Sequence, residues 1–104
     1  MLFRSVGVTG VTVFGKSALD SEVQFEVRSF APNEGVAEDP VCGSGNGCVA
    51  TMVKQLQLIP DSNYVASQGA SVGRDGRIEV RFKDDGKILL GGNAVTCIEG
   101  DITI

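Results

Sequence analysis

The stretch Glu38-Asp39-Pro40-Val41-Cys42-Gly43-Ser44-Gly45-Asn46-Gly47-Cys48 sets two carboxylates, a proline-fixed turn, the Cys42 thiol and three glycines ahead of an apolar segment, Val49 to Ile59. That segment predicts a helix from about Gly45 to Leu58, stopped by Pro60, so the glycines fall at its N-terminus. The first backbone N–H groups of a helix have no internal partner, and the helix dipole is positive there. Such an end favours a carboxylate, a phosphate or a thiolate. A cysteine so placed can have its pKa lowered from about 8.5 into the range of roughly 3.5–7.5. The loop therefore has the chemistry of a proton-transfer site beside a carboxylate.

Working outward, the helix carries Cys48, Met52 and Leu56 as one stripe, widened by Val49, Ala50 and Val53. Only Lys54, Gln55 and Gln57 are plainly polar, and a helix apolar on nearly every side is buried on most sides. The rest of the chain reads as short strands between glycine turns. Val6 to Phe14 alternates β-branched residues, with a slip at Gly10 that marks a bulge. Glu22 to Phe30 has period two, with Val23, Phe25 and Val27 on one face and Glu22, Gln24, Glu26 and Arg28 on the other. Ile78, Val80 and Phe82 alternate with charged residues, and Asp84-Asp85-Gly86 predicts a hairpin turn into Lys87 to Leu90. Tyr64 to Ser67, Ala94 to Glu99 and Asp101 to Ile104 are further strand candidates. One helix among seven or so strands predicts an α+β lobe: a mostly antiparallel sheet curled around one central helix.

The 104 residues predict a single domain with a core large enough to do without disulfides. The formal net charge is −4 with the two signs interspersed, which argues against a nucleic-acid partner. No apolar run approaches the roughly 20 residues that span a bilayer, so no membrane partner is expected. Met1-Leu2-Phe3-Arg4 lacks the ordered regions of a signal peptide, and the expected location is cytoplasmic. Histidine is absent, and the three cysteines form no C-x-x-C pair. A metal site would need unusual ligands, and none is expected. Ser-His-Asp and Cys-His nucleophile arrangements are excluded outright. The glycine spacing is not a Walker loop, since its lysine and Ser/Thr partner are missing.

The residues Arg28-Ser29-Phe30-Ala31-Pro32-x-x-Gly35-Val36-x-Glu38-Asp39-Pro40-Val41-Cys42-Gly43-Ser44 resemble the signature of the phenazine biosynthesis PhzF-like family. Gln68-Gly69, Gly73-Arg74-x-Gly76-x-Ile78-x-Val80 and Gly91-Gly92-x-Ala94-Val95 fall where that family has similar segments. The resemblance covers nearly the whole chain. It implies the diaminopimelate epimerase-like fold, in which two similar lobes each wrap a sheet around a helix and the active site lies between them. It also implies isomerisation by proton transfer on a small carboxylate-bearing metabolite, with no cofactor. Residues 1–104 resemble only the C-terminal lobe, and the acid–base glutamate of PhzF-like enzymes belongs to the other. Asp39 and Ser44 match the family's substrate-contacting positions. Cys42 stands where many members have threonine, and Cys42-Gly43-Ser44-Gly45 resembles the cysteine loop of diaminopimelate epimerases and proline racemases. In those relatives, paired cysteines exchange protons on opposite faces of the substrate.

Each candidate has a structural alternative. Cys42, the candidate catalytic thiol, could instead be a small hydrophobe at a tight turn. Asp39 could contact substrate or cap the helix, and Ser44 could bind a ligand carboxylate or serve as the N-cap. Gly43, Gly45 and Gly47 allow close approach of a ligand or of a neighbouring strand. Gly43, Ser44, Gly45 and Asn46 make up the expected substrate-binding loop. Glu38 is expected to bond within the turn or face solvent, and Arg28 could orient the carboxylates. Arg74 reads as a turn residue. Cys48 and Cys97 are expected in the core. A half-site with an exposed apolar face predicts a homodimer, or a complementary lobe, as partner. The contrasting expectation is a non-catalytic domain that binds a small acid or a partner lobe.

Overall fold

A computed structural model describes residues 5–104 of the chain. The leader reading at Met1–Arg4 lies outside the described residues. Six strands and one long helix follow in the order β1 (Val11–Lys16), β2 (Phe25–Ala31), β3 (Val36–Asp39), α1 (Gly43–Gln55), β4 (Asn63–Gln68), β5 (Gly76–Phe82) and β6 (Ile88–Gly91). The sheet order is β1-β2-β4-β5-β6, with β3 beside β2. All neighbours are antiparallel except β2 and β4. The parallel pair is joined by β3 and α1, because a parallel connection needs a long crossover. On the same side of β2, β4 takes Phe25 to Val27, while β3 takes Ser29 and Ala31 across a bulge. The strand β3 therefore ends beside the C-terminal end of β4 and delivers the chain to the start of the helix.

The sheet is curled. Five strands at about 4.8 Å spacing place the edges of a flat sheet roughly 19 Å apart, more than a helix about 10 Å wide can bridge. Yet α1 packs against both edge strands, β1 and β6. Its inward face is Gly45, Asn46, Val49, Ala50 and Val53, an i, i+4, i+8 stripe with its i+1 and i+5 neighbours. Against it lie Phe25 and Val27 of β2, Tyr64 and Ala66 of β4, and Ile78 and Val80 of β5. The inward residues alternate along each strand, as period two requires. Phe25 meets Phe14 and Tyr64 edge to face, with ring centroids 5.8 and 5.1 Å apart.

Several expectations are corrected. The stripe Cys48-Met52-Leu56 lies outside the buried face of the helix, and all three residues are exposed. The helix is central to the curl but covered on one side, because the sheet stops at β1 and β6. Cys97 is exposed as well, not in the core. Val6 belongs to a helical turn, and β1 begins only at Val11. Gly10 marks a close approach: a Cβ there would lie 2.7 Å from the Phe30 carbonyl oxygen. The segments Ala94–Glu99 and Asp101–Ile104 form no strand, and Val95, Ile98, Ile102 and Ile104 are exposed. A short strand, β3, lies inside the signature, where no alternation announced it.

Candidate active site at the helix N-terminus

Pro40 ends the β3 ladder, since it has no N–H to donate. The chain then turns into α1 through Val41 and Cys42. Asp39 holds this turn, its Oδ1 accepting the Val41 N–H at 2.9 Å. Cys42 is the N-cap: its backbone is extended and its Sγ accepts the Gly45 N–H at 3.3 Å. Ser44 is inside the first turn, with its Oγ 3.5 Å from the Cys42 sulfur. Sulfur, hydroxyl and the free N–H groups of the first turn are thus brought together where the dipole is positive.

This end of the helix opens on a cavity of about 230 Å³. Asp39, Cys42, Ser44, Gly45 and Cys48 line it on the helix side, and residues 9–12 and 29–31 on the β1–β2 side. Cys48, read from sequence as core, therefore lines the same cavity as Cys42. The loop residues do not all converge there. Asn46 is fully buried beneath the loop and donates to the Cys42 carbonyl at 2.9 Å. Gly43 lines a separate hollow with Val41 and Leu90. Glu38 turns to the opposite face of β3 and accepts two bonds of 2.9 Å from the Arg28 guanidinium. That bond and charge hold its carboxyl below the usual glutamate range. Arg28 therefore orients Glu38 and does not reach the cavity.

Two cavity residues escaped the sequence reading. Thr12 of β1 and Ser29 of β2 are register partners, and their hydroxyls lie 2.9 Å apart. A Cβ on Gly45 would come within 2.5 Å of the Thr12 Oγ1, 2.7 Å of the Ser29 Oγ and 3.2 Å of the Cys42 Sγ. Glycine is required at position 45 because both hydroxyls press against the helix backbone. The available signal was parity: Ser29 occupies the inward position that follows Phe25 and Val27. Gln68, at the end of β4, is the third residue missed. It is buried, with its carboxamide bonded to Cys42, Asn46 and Asp39.

The whole arrangement, from β2 through the cysteine loop to β6, matches a known family. Residues 2–100 fit the model of the family described as phenazine biosynthesis-like protein. The chain belongs to that family. Its relatives include antisense-enhancing sequence 1 of Schizosaccharomyces pombe, 42% identical over 96 residues, covering 88% of this chain and 31% of that protein. An uncharacterized isomerase of Clostridium acetobutylicum is 31% identical over 111 residues, covering 99% of this chain and 37% of its own. The crystal structure of a PhzF-family phenazine biosynthesis protein from Enterococcus faecalis superposes with a TM-score of 0.57 at 29% identity, covering 85% of this chain and 34% of that one. The PhzF-like chain described here thus spans about a third of the length of these relatives.

Proposed function

We propose that this chain is a C-terminal PhzF-like lobe that isomerises or epimerises a small carboxylate-bearing metabolite by proton transfer. The observation that carries the reading is the gathering of Cys42 Sγ, Ser44 Oγ and Asp39 around an open cavity at the positive end of α1. The N–H groups of the first turn and Ser44 bind the substrate carboxylate. The Cys42 thiolate takes the proton from the adjacent carbon, forming an S–H bond, and the electron pair of the broken C–H bond moves into the carboxylate. The helix dipole stabilises this enolate charge. A proton returned to the opposite face completes the inversion with no net redox change. Among the described residues, the β1–β2 side of the cavity presents hydroxyl and apolar groups but no acid or base, and its second thiol, Cys48, lies on the same helix side as Cys42. We assign the opposing group to Cys42 of a second copy in a homodimer.

The test has two parts. Light scattering at low-micromolar concentration reports mass, and proton NMR in D2O follows exchange at the α-carbon of amino and hydroxy acids. A dimer that exchanges one such proton, and loses exchange in Cys42→Ser, supports the two-thiol mechanism. Full turnover in Cys42→Ser sinks it. The lack of an acid or base opposite Cys42 among the described residues also supports a second reading: a non-catalytic domain that binds a small acid or a complementary lobe. A monomer that binds such acids without exchanging their protons would establish that reading.

A further inference from the structure

The turn that carries Asp39 and Cys42 sits between the end of β3 and the start of α1. Besides the Asp39 and Asn46 side chains, its backbone is held by a side chain from a distant strand. Gln68 is the last residue of β4 and is 2% exposed. Its Oε1 accepts the Cys42 N–H at 3.2 Å and the Asn46 Nδ2–H at 2.7 Å. Its Nε2 donates to the Asp39 carbonyl at 2.8 Å. Asn46 closes the ring by donating its other hydrogen to the Cys42 carbonyl at 2.9 Å. The next residue strengthens the case. Gly69 has φ +96°, and a Cβ on it would lie 2.7 Å from the Pro40 carbonyl oxygen. The turn thus rests directly on Gln68-Gly69, at a distance only glycine permits.

We propose that Gln68 is a positioning residue for the cysteine loop. Its carboxamide sets the Cys42 N-cap geometry from one side and the Asp39 backbone from the other. The inference rests on the reading of this loop as the proton-transfer site, but its test needs no substrate. Only a group with an acceptor on one atom and a donor on the other satisfies all three partners. A neutral carboxylic acid does so; a carboxylate keeps the acceptor and loses the donor to Asp39; a thioether keeps neither.

The experiment compares the wild-type chain with Gln68→Met and Gln68→Glu by nitrogen-15 NMR and by iodoacetamide labelling of Cys42, with exposed Cys97 as internal reference. In Gln68→Met, the Cys42 amide exchanges about tenfold faster, the scale of one lost hydrogen bond. The Cys42-to-Cys97 labelling ratio changes by at least about threefold, while the Ala66 and Val80 amides stay protected. In Gln68→Glu, the Cys42 backbone and Asn46 side-chain amide shifts match wild type where the new carboxyl is protonated and move together as it ionises. A residue that only fills space would show no such pH signature. If Gln68→Met does not fold, Gln68→Glu decides alone. The assignment is overturned if Cys42 exchange and labelling in a folded Gln68→Met stay within about twofold of wild type. It is equally overturned if the carboxyl introduced by Gln68→Glu ionises without moving those two amides. Failure of the isomerase reading would leave these loop measurements intact, so the two can fail separately.

Discussion

At the residue scale, Cys42 does two jobs with one sulfur. It accepts the Gly45 N–H as a cap and faces the cavity as a thiol. The jobs are separable by substitution. Cys42→Thr and Cys42→Ser retain an N-cap acceptor, so their urea midpoints stay at or above wild type, whereas Cys42→Ala loses about 1 kcal/mol. Equal stability for Cys42→Ala would show that the sulfur does not cap. Tyr64 gives a second prediction. Its hydroxyl is buried without a partner among the described residues, and burial pushes the phenol up to about 12. The unfolded phenol titrates near 10, so the unfolded state loses its proton first. Tyr64 thus leaves stability intact below about pH 10 and removes on the order of 2–3 kcal/mol as pH rises through 12. Tyr64→Phe abolishes this part of the alkaline limb and unfolds no more easily at pH 7, which denaturation at both pH values checks. The turn built by Asp39 and Cys42 was legible because its bonds are local, spanning two or three residues. Thr12, Ser29 and Gln68 were not, because their contacts span 17 to 29 residues.

At the element scale, the apolar run after the glycines announced α1, while its buried face was misread. Periodicity shows that a helix has apolar stripes, but the neighbours decide which stripe is covered. Here Val49, Ala50 and Val53 meet the sheet, while Met52 and Leu56 face outward. Gly45 fixes how closely the helix meets β1 and β2. Gly45→Ala should therefore destabilise the fold by roughly 1–3 kcal/mol through overpacking, although alanine favours an isolated helix by about 1 kcal/mol. Increased stability would show that Thr12 and Ser29 yield without cost. Strand β3 is tied to β2 by the Arg28–Glu38 fork. The carboxyl titrates below its ordinary value, so its contribution is present above that value and lost as pH falls through the folded one. In Arg28→Met, carbon-13 NMR should find the Glu38 titration moved up, and the acid limb of stability should lose this component. An unmoved titration would mean that the fork does not persist in solution.

At the scale of the whole molecule, the sheet wraps only part of the helix, and the large apolar side chains of the segment after β6 are exposed. Ile98 and Ile102 are 92% and 91% exposed. Replacing both with serine should change the stability of the lobe by no more than about 0.5 kcal/mol; a larger loss would place the tail in the core. The same substitutions should lower the mass in solution if the tail contributes to the homodimer proposed above. Amino-acid order alone determined the α+β class, the helix and its glycine-rich start, the alternating cores of β2 and β5, the Asp84-Asp85-Gly86 hairpin and the acid–thiol loop. All of these rest on propensities, turn chemistry and periods that act over a few residues. Only the tertiary structure decided the parallel meeting of β2 with β4, the exposure of Cys48 and the tail, and the convergence of Thr12, Ser29 and Gln68 on one helix end. Those outcomes depend on which surfaces remain after the sheet has curled, a property of long-range packing that no local period encodes.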